Sequence, residues 1–168
     1  MVKDSKKYKA LIGRLETCFG APKVLAVETA DSAIQKLYAY YTTLKERGVN
    51  PQRSDFSLLK LKAASANFFV LDVISDLPEF KVAYMGSTLD DMYGYLTNQS
   101  YKDVVPEEIY ERTTVFFEII AFTEEPLIIA TNNLSERKEY ISSQTLIIPL
   151  FDEAGQLTKA IGLVVRHG

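Results

Sequence analysis

Hydrophobic positions recur at helical spacing from the beginning of the chain. Between Asp4 and Phe19, residues Tyr8, Leu11, Ile12, Leu15, Cys18 and Phe19 fall on one side, and Gly20-Ala21-Pro22 breaks the pattern. The spacing predicts an amphipathic helix. A second follows: Ser32 and Gln35 form a capping-box pair, Ile34, Leu37, Tyr38, Tyr41 and Leu44 make the stripe, and Gly48 ends it before Pro51. Residues 54–62, SDFSLLKLK, predict a further short turn of helix.

The period then changes. NFFVLDVIS (67–75) and EFKVAYMG (79–86) are rich in β-branched and aromatic residues and predict an antiparallel hairpin through Asp76-Leu77-Pro78. In its second strand Phe80, Val82 and Tyr84 share one parity, which predicts that all three face the core. Gly86 and Gly94 bracket a short helix around Leu89–Tyr93. Residues 105–123 predict the longest helix of the core, with Pro106 at its first position, Glu107 and Glu108 at the positive end of its dipole, and Ile109, Thr113, Phe116, Phe117 and Ile120 along one side. Strands are predicted over 126–133, 138–151 and 157–165, the last two joined by a turn at Asp152, Glu153 and Gly155. The expected architecture is α+β: two leading helices, then a five-stranded antiparallel sheet with helices on its concave face.

The last strands are apolar on both parities, with Leu146 and Leu150 opposed by Ile147, and Leu163 and Val165 opposed by Val164. Such a sheet is covered on both faces. The leading helices are the apolar elements left to supply the second cover. Leaving the stripe of the first in water would forfeit on the order of 10 kcal/mol, comparable with the stability of a whole domain, about 5–15 kcal/mol. A helix of that length is marginal alone, so it docks on its own sheet or on a second copy. The expectation is a homodimer through residues 5–47, with Tyr8, Leu11, Ile12, Leu15, Phe19, Ile34, Leu37, Tyr38 and Tyr41 in the contact.

Composition narrows the function classes. The 168-residue chain carries a formal net charge of −3 and has a pI near 5.3, which gives no overall pull toward nucleic acid. One local exception is Lys3, Lys6, Lys7, Lys9 and Arg14 against Asp4, a local charge of +4. Cys18 is the single cysteine, which rules out an intramolecular disulfide and a thiolate cluster for metal. The start of the chain lacks a signal-peptide core and no run is long enough to span a bilayer, so a cytoplasmic location is expected.

The order of elements, with the ending LIIPLFDEAGQLTKAIGLVV, resembles the PAS domain superfamily. YAYYTTLKERG, the SDF segment, the Leu-Asp-Val strand and MGSTLDDMYGYLT make residues 32–166 similar to small bacterial single-PAS proteins. The resemblance implies a leading extension over 1–50 and a PAS domain over 51–168. The chain departs from that subfamily at Ala83, where an Arg is usual, and at Thr97-Asn98, where Thr-Gly is usual; Asn tolerates the left-handed backbone such a turn needs. It ends at Arg166-His167-Gly168 in place of the Asp-Ile-Thr-like triplet that leads into effectors, so no effector domain is expected to follow.

The resemblance also implies cofactor tests. Covalent flavin and coumaryl sites need a cysteine in the PAS core, whereas Cys18 precedes it; haem needs Cys-x-x-Cys-His or a pocket histidine, whereas His167 is the single histidine. No attached cofactor is expected, and a non-covalent small apolar ligand is left open. Its candidate contacts are Tyr84, Met92, Tyr93, Tyr95, Tyr110, Phe116, Phe117 and Ile120, with a filled core as the alternative. The pairs Asp90-Asp91, Glu107-Glu108 and Glu124-Glu125 do not read as catalytic, because adjacent side chains diverge on a helix. The expected function is a non-enzymatic sensory module that signals through contact with other proteins. Two alternatives stand beside it: a small-molecule enzyme on a related α+β cone using Tyr84, Tyr93 or Tyr110, and nucleic-acid association through the basic first helix.

Overall fold

Both leading helices form where the spacing places them, and the cap residues show why they start there. In the computed structural model, which describes residues 2–74, 79–134 and 140–167, helix α1 spans Lys6–Glu16 and its N-cap Ser5 accepts a hydrogen bond from the Tyr8 amide. Helix α2 spans Ser32–Glu46 and is capped by Asp31, whose carboxylate accepts from Ala33 N. The cap therefore lies one residue earlier than Ser32 and the expected Ser32–Gln35 box does not form; Gln35 instead donates its side-chain amide to the carbonyls of Glu28 and Ala30.

The sheet has six antiparallel strands in the order β1-β4-β5-β6-β2-β3. They are β1 (Lys23–Val24), β2 (Phe68–Val73), β3 (Phe80–Met85), β4 (Leu127–Leu134), β5 (Tyr140–Phe151) and β6 (Leu157–His167). The five expected strands are all present, and β1 is the addition: two residues pairing with Ala130 and Ile129 of β4. The turn expected at Asp76-Leu77-Pro78 and the first residues of the strand expected from 138 lie outside the described residues. The outer margin of β4 and the middle of β3 are both engaged by the same chain. Gly20 O and Leu25 N bond Asn132 N and Ile128 O along β4, while Val82 of β3 exchanges backbone hydrogen bonds with Asn98 and Gln99. Asn98 has φ 67, the left-handed conformation its position required.

Helices α3 (Leu58–Leu61), α4 (Ser87–Tyr93), α5 (Tyr101–Val104) and α6 (Glu107–Thr123) complete the fold. Pro106 sits at the N-cap of α6, one residue earlier than expected, and Glu124 in the left-handed region ends it. The chain enters α4 at Gly86, where a Cβ would stand 2.3 Å from Ala66 O, so only glycine allows the backbones to approach this closely.

The sheet divides two cores. On the concave face Phe69, Leu71, Phe80, Val82, Ile129, Ile147 and Val164 pack against α4 and α6, with Leu11 and Leu15 of α1 joining through α6. On the other face Phe68, Val70, Leu146, Ile148, Ile161 and Leu163 are covered by Ile34, Leu37, Tyr41 and Leu44 of α2 and by Phe56. The double-sided apolar pattern thus finds both covers within one chain.

The apolar stripes expected in the dimer contact are engaged within the chain itself. Leu11, Leu15, Ile34, Leu37 and Tyr41 are buried inside the chain; Tyr8 and Ile12 pack on the inner core, and Tyr38 on the outer one. Phe19 is half-buried, with its carbonyl taken by Arg112. Docking these stripes on the chain's own sheet and α6 satisfies the apolar surface that a second copy was expected to cover.

Candidate functional site

Between the concave face and helices α4–α6 lies a cavity of about 220 Å³. Its apolar wall comes from Phe69 and Leu71 of β2, Leu89 of α4, Ile147 of β5, Val164 of β6, and Phe116 and Phe117 of α6. Its polar groups are Tyr93, Tyr101, Arg112, Thr113, Thr131 and Thr145.

Three of the eight expected contacts, Tyr93, Phe116 and Phe117, line this wall. Met92 and Ile120 are buried in the same core without reaching the wall, and Tyr110 stacks on Phe80 at 5.8 Å. Tyr95 is 68% exposed. Tyr84 is on the opposite face of the sheet, where its hydroxyl donates to Ser65 O. The reason is a β-bulge: Leu71 pairs with Val82 and Val70 with Tyr84, so Ala83 is the extra residue and alternation is reset after Val82. Phe80 and Val82 face the concave core as expected, Ala83 and Tyr84 face the outer one, and Met85 returns to the cavity.

Arg112 was not among the expected contacts, although its place in the sequence signals it. It falls between Ile109 and Phe116 on the inward stripe of α6, where an arginine has to be buried. It is 6% exposed; Nη1 donates to Phe19 O at 3.0 Å, and its guanidinium lies 5.8 Å from the Phe116 ring centre. Burial pushes its pKa below the ordinary guanidinium value, while nearby Tyr101, Tyr93 and Cys18 act in the opposite direction. Arginine nonetheless keeps its charge in proteins.

The residues around Arg112 are fixed in place. Gly20 has φ 84, and a Cβ there would stand 2.1 Å from Asn132 O and 2.8 Å from Arg112 Nη1, so glycine lets the loop after α1 lie against both. The Thr113 hydroxyl spends its proton on Ile109 O at 2.9 Å, so it accepts from Tyr101 at 3.0 Å. Burial pushes the Tyr101 phenol up, and the nearby charge of Arg112 acts in the opposite direction. Thr131 and Ser143 pair across β4 and β5 at 3.2 Å.

Cys18 is outside the wall, its thiol donating to Arg14 O at 3.2 Å and its pKa raised by burial. His167 is also outside it, 3.8 Å from Asp31. Among the described residues no group of three His, Cys, Asp or Glu could hold a metal, and no helix is long and apolar enough to cross a membrane. The basic residues of α1 and of the turn before it are partly engaged within the chain: Arg14 bonds Glu118 at 2.8 Å, Lys7 lies 4.8 Å over Phe122, and Lys3 is 4.0 Å from Glu125.

A PAS domain family profile matches residues 29–165. The chain belongs to the PAS domain family. Solved light-oxygen-voltage structures are among those the chain aligns with. An RNA-binding light-oxygen-voltage receptor aligns with TM-score 0.50 and 15% identity over 89% of this PAS chain and 39% of its own. A Rhodobacter sphaeroides LOV protein aligns with TM-score 0.49 and 13% identity over 63% and 61%. A light-oxygen-voltage domain studied with a flavin analogue aligns with TM-score 0.49 and 18% identity over 66% and 84%. This PAS chain therefore spans about two fifths of the RNA-binding receptor, and at 15% identity the likeness to that receptor is one of fold. No curated protein sequence matches it.

Proposed function

We propose that this PAS protein is a non-enzymatic sensory module that holds a small organic molecule in its concave cavity and passes the occupancy on through protein contact. The observation that carries the reading is the cavity itself, an apolar wall with a few polar groups, as in small-molecule sites. At about 220 Å³ it is smaller than the roughly 300–1,000 Å³ typical of drug-sized ligands, which favours a compact ligand over a three-ring flavin. The position of Cys18 outside the wall favours reversible over covalent capture.

Binding is favoured over catalysis by the titratable groups available. Among the described residues those on the wall are two phenols and a guanidinium, and the Tyr101 phenol is pushed further from neutrality by burial, the wrong direction for a general base. The test is native mass spectrometry of freshly purified protein against its denatured mass, followed by a fragment library read by thermal shift. A mass excess lost on denaturation, or compact fragments that raise the melting temperature, would support the reading. A flavin absorption band in the purified protein would overturn the size argument, and a protein that takes no fragment at millimolar concentration would overturn ligand sensing.

A further inference from the structure

We infer that Thr145 is the polar anchor of the cavity and that the ligand is a compact neutral ring alcohol whose hydroxyl meets that of Thr145. This names the ligand class and its contact, and rests on the ligand-binding reading above.

The concave face of β4 runs Leu127, Ile129, Thr131, and its partners on β5 run Ile147, Thr145, Ser143. At the polar end Thr131 and Ser143 bond each other. Tyr101 and Thr113 are also committed, the phenol donating to the threonine and the threonine to Ile109 O. Thr145 differs from these. Its cross-strand partners are Ile129 on β4 and Val164 on β6, both buried and both aliphatic, and Ile147 is the next residue of its own strand on the same face. The side chain lines the cavity, and among the described residues its hydroxyl has no hydrogen-bond partner.

That hydroxyl is out of keeping with its neighbours. Thr42, Thr43, Thr113 and Thr114 sit on helices and give their protons to the carbonyl four residues earlier, a partner that a strand does not supply. Valine has the shape of threonine and suits a place between Ile129 and Val164, whereas a hydroxyl withdrawn from water without a partner is costly. A molecule in the cavity supplies the partner. A ligand hydroxyl fits in either sense, since each oxygen can donate and accept. The group has to be neutral at this place, because a charge set among Ile129, Ile147 and Val164 would gain one hydroxyl and lose its water. Size sets the rest. A cavity of about 150 Å³ accepts benzene and water occupies about 30 Å³, so about 220 Å³ holds one six-membered ring plus a group the size of two waters. A hydroxymethyl group on a benzene ring meets that description.

The probes are benzyl alcohol and ethylbenzene, which share a ring and two further heavy atoms, titrated into the full chain by calorimetry. Thr145→Val should weaken benzyl alcohol about fivefold, the worth of one neutral hydrogen bond, and leave ethylbenzene within about twofold of the wild type. Thr145→Ser restores the hydroxyl and should restore the wild-type ratio of the two affinities. Benzylammonium and benzoate should each bind at least about tenfold more weakly than benzyl alcohol. A readout on the wild type needs no variant to fold: the benzylic methylene should give nuclear Overhauser contacts to the Thr145 methyl. An equal loss of both probes in folded Thr145→Val, or bound benzyl alcohol with no contact to that methyl, would overturn the assignment to Thr145. Tighter binding of either ion than of the alcohol would overturn the neutral class and leave the ligand-binding reading intact. Failure of these four probes and of every other fragment to bind would overturn this inference together with the reading beneath it.

Discussion

Truncating Phe117 to alanine tests the concave core and the cavity together. The ring is 1% exposed and lies parallel to Phe80, with centroids 4.5 Å apart and 7° between planes. A buried Phe→Ala change costs about 3–5 kcal/mol, part of it from an aromatic pair worth about 0.5–1.5 kcal/mol. Phe117 also lines the cavity, so one side of its ring already lacks packed neighbours and gives up less dispersion energy on removal. The expected loss is therefore at the lower end, about 3 kcal/mol, a large share of the stability of a typical domain. In urea, with a slope of about 1–3 kcal/mol per molar, the midpoint should fall by about 1.5 M, read by circular dichroism at 25 °C. The enlarged hole should then admit benzene, and at ten times its Kd benzene should restore about 1.4 kcal/mol. A loss below about 1 kcal/mol would refute the placement of Phe117 between Phe80 and the cavity, and a full loss with no rescue by benzene would refute the claim that the deleted ring opens into that space.

Three further outcomes are expected. Gly162→Ala places a Cβ 1.7 Å from Leu146 O, between two paired strands with no flexible side chain to move aside; a loss of at least about 2 kcal/mol is expected, and an unchanged melting temperature would contradict the β5–β6 register. Burial, then Asp91, raises the Asp90 pKa, so the folded state holds that proton more tightly than the unfolded chain and stability falls as pH rises past the unfolded value of about 3.9. Asp90→Asn should accordingly gain stability at pH 7, by less than about 1 kcal/mol because the group is only partly withdrawn from water, and the gain should vanish below about pH 4 in urea titrations at both pH values. With the stripes of α1 and α2 consumed internally, light scattering at micromolar concentration should return the chain mass of 18.9 kDa, and a doubled mass would show that another surface pairs.

Periodicity carried much of this fold because burial on one side or two leaves a regular mark. Leu146 and Leu150 against Ile147 announced a sheet covered twice, and Ile34, Leu37, Tyr41 and Leu44 supplied the outer cover. Whether that cover came from the same chain was not written in any single helix, since an apolar stripe is equally satisfied by either partner. The bulge at Ala83 was equally silent: alternation extrapolates straight through it and sends Tyr84 to the wrong face. The two residues of β1 are too few for a period to register. The polar end of the cavity combines α6, β4, β5 and the segment around Tyr101, which no local window brings together. Arg112 alone left a trace, a charge placed where the stripe of α6 calls for an apolar residue.

The covered rims of the sheet limit how this molecule meets others. Many proteins are recognised, or misassemble, when a foreign extended segment extends an open sheet along its margin. Here β4 already bonds residues 20–25 at Ile128, Ala130 and Asn132, and Val82 at the middle of β3 bonds residues 98–99. A visiting strand would first have to peel those segments away, and the first of them is anchored to Asn132 and, through Phe19, to Arg112. Recruitment by strand invasion and cross-β templating are thus disfavoured at the same places.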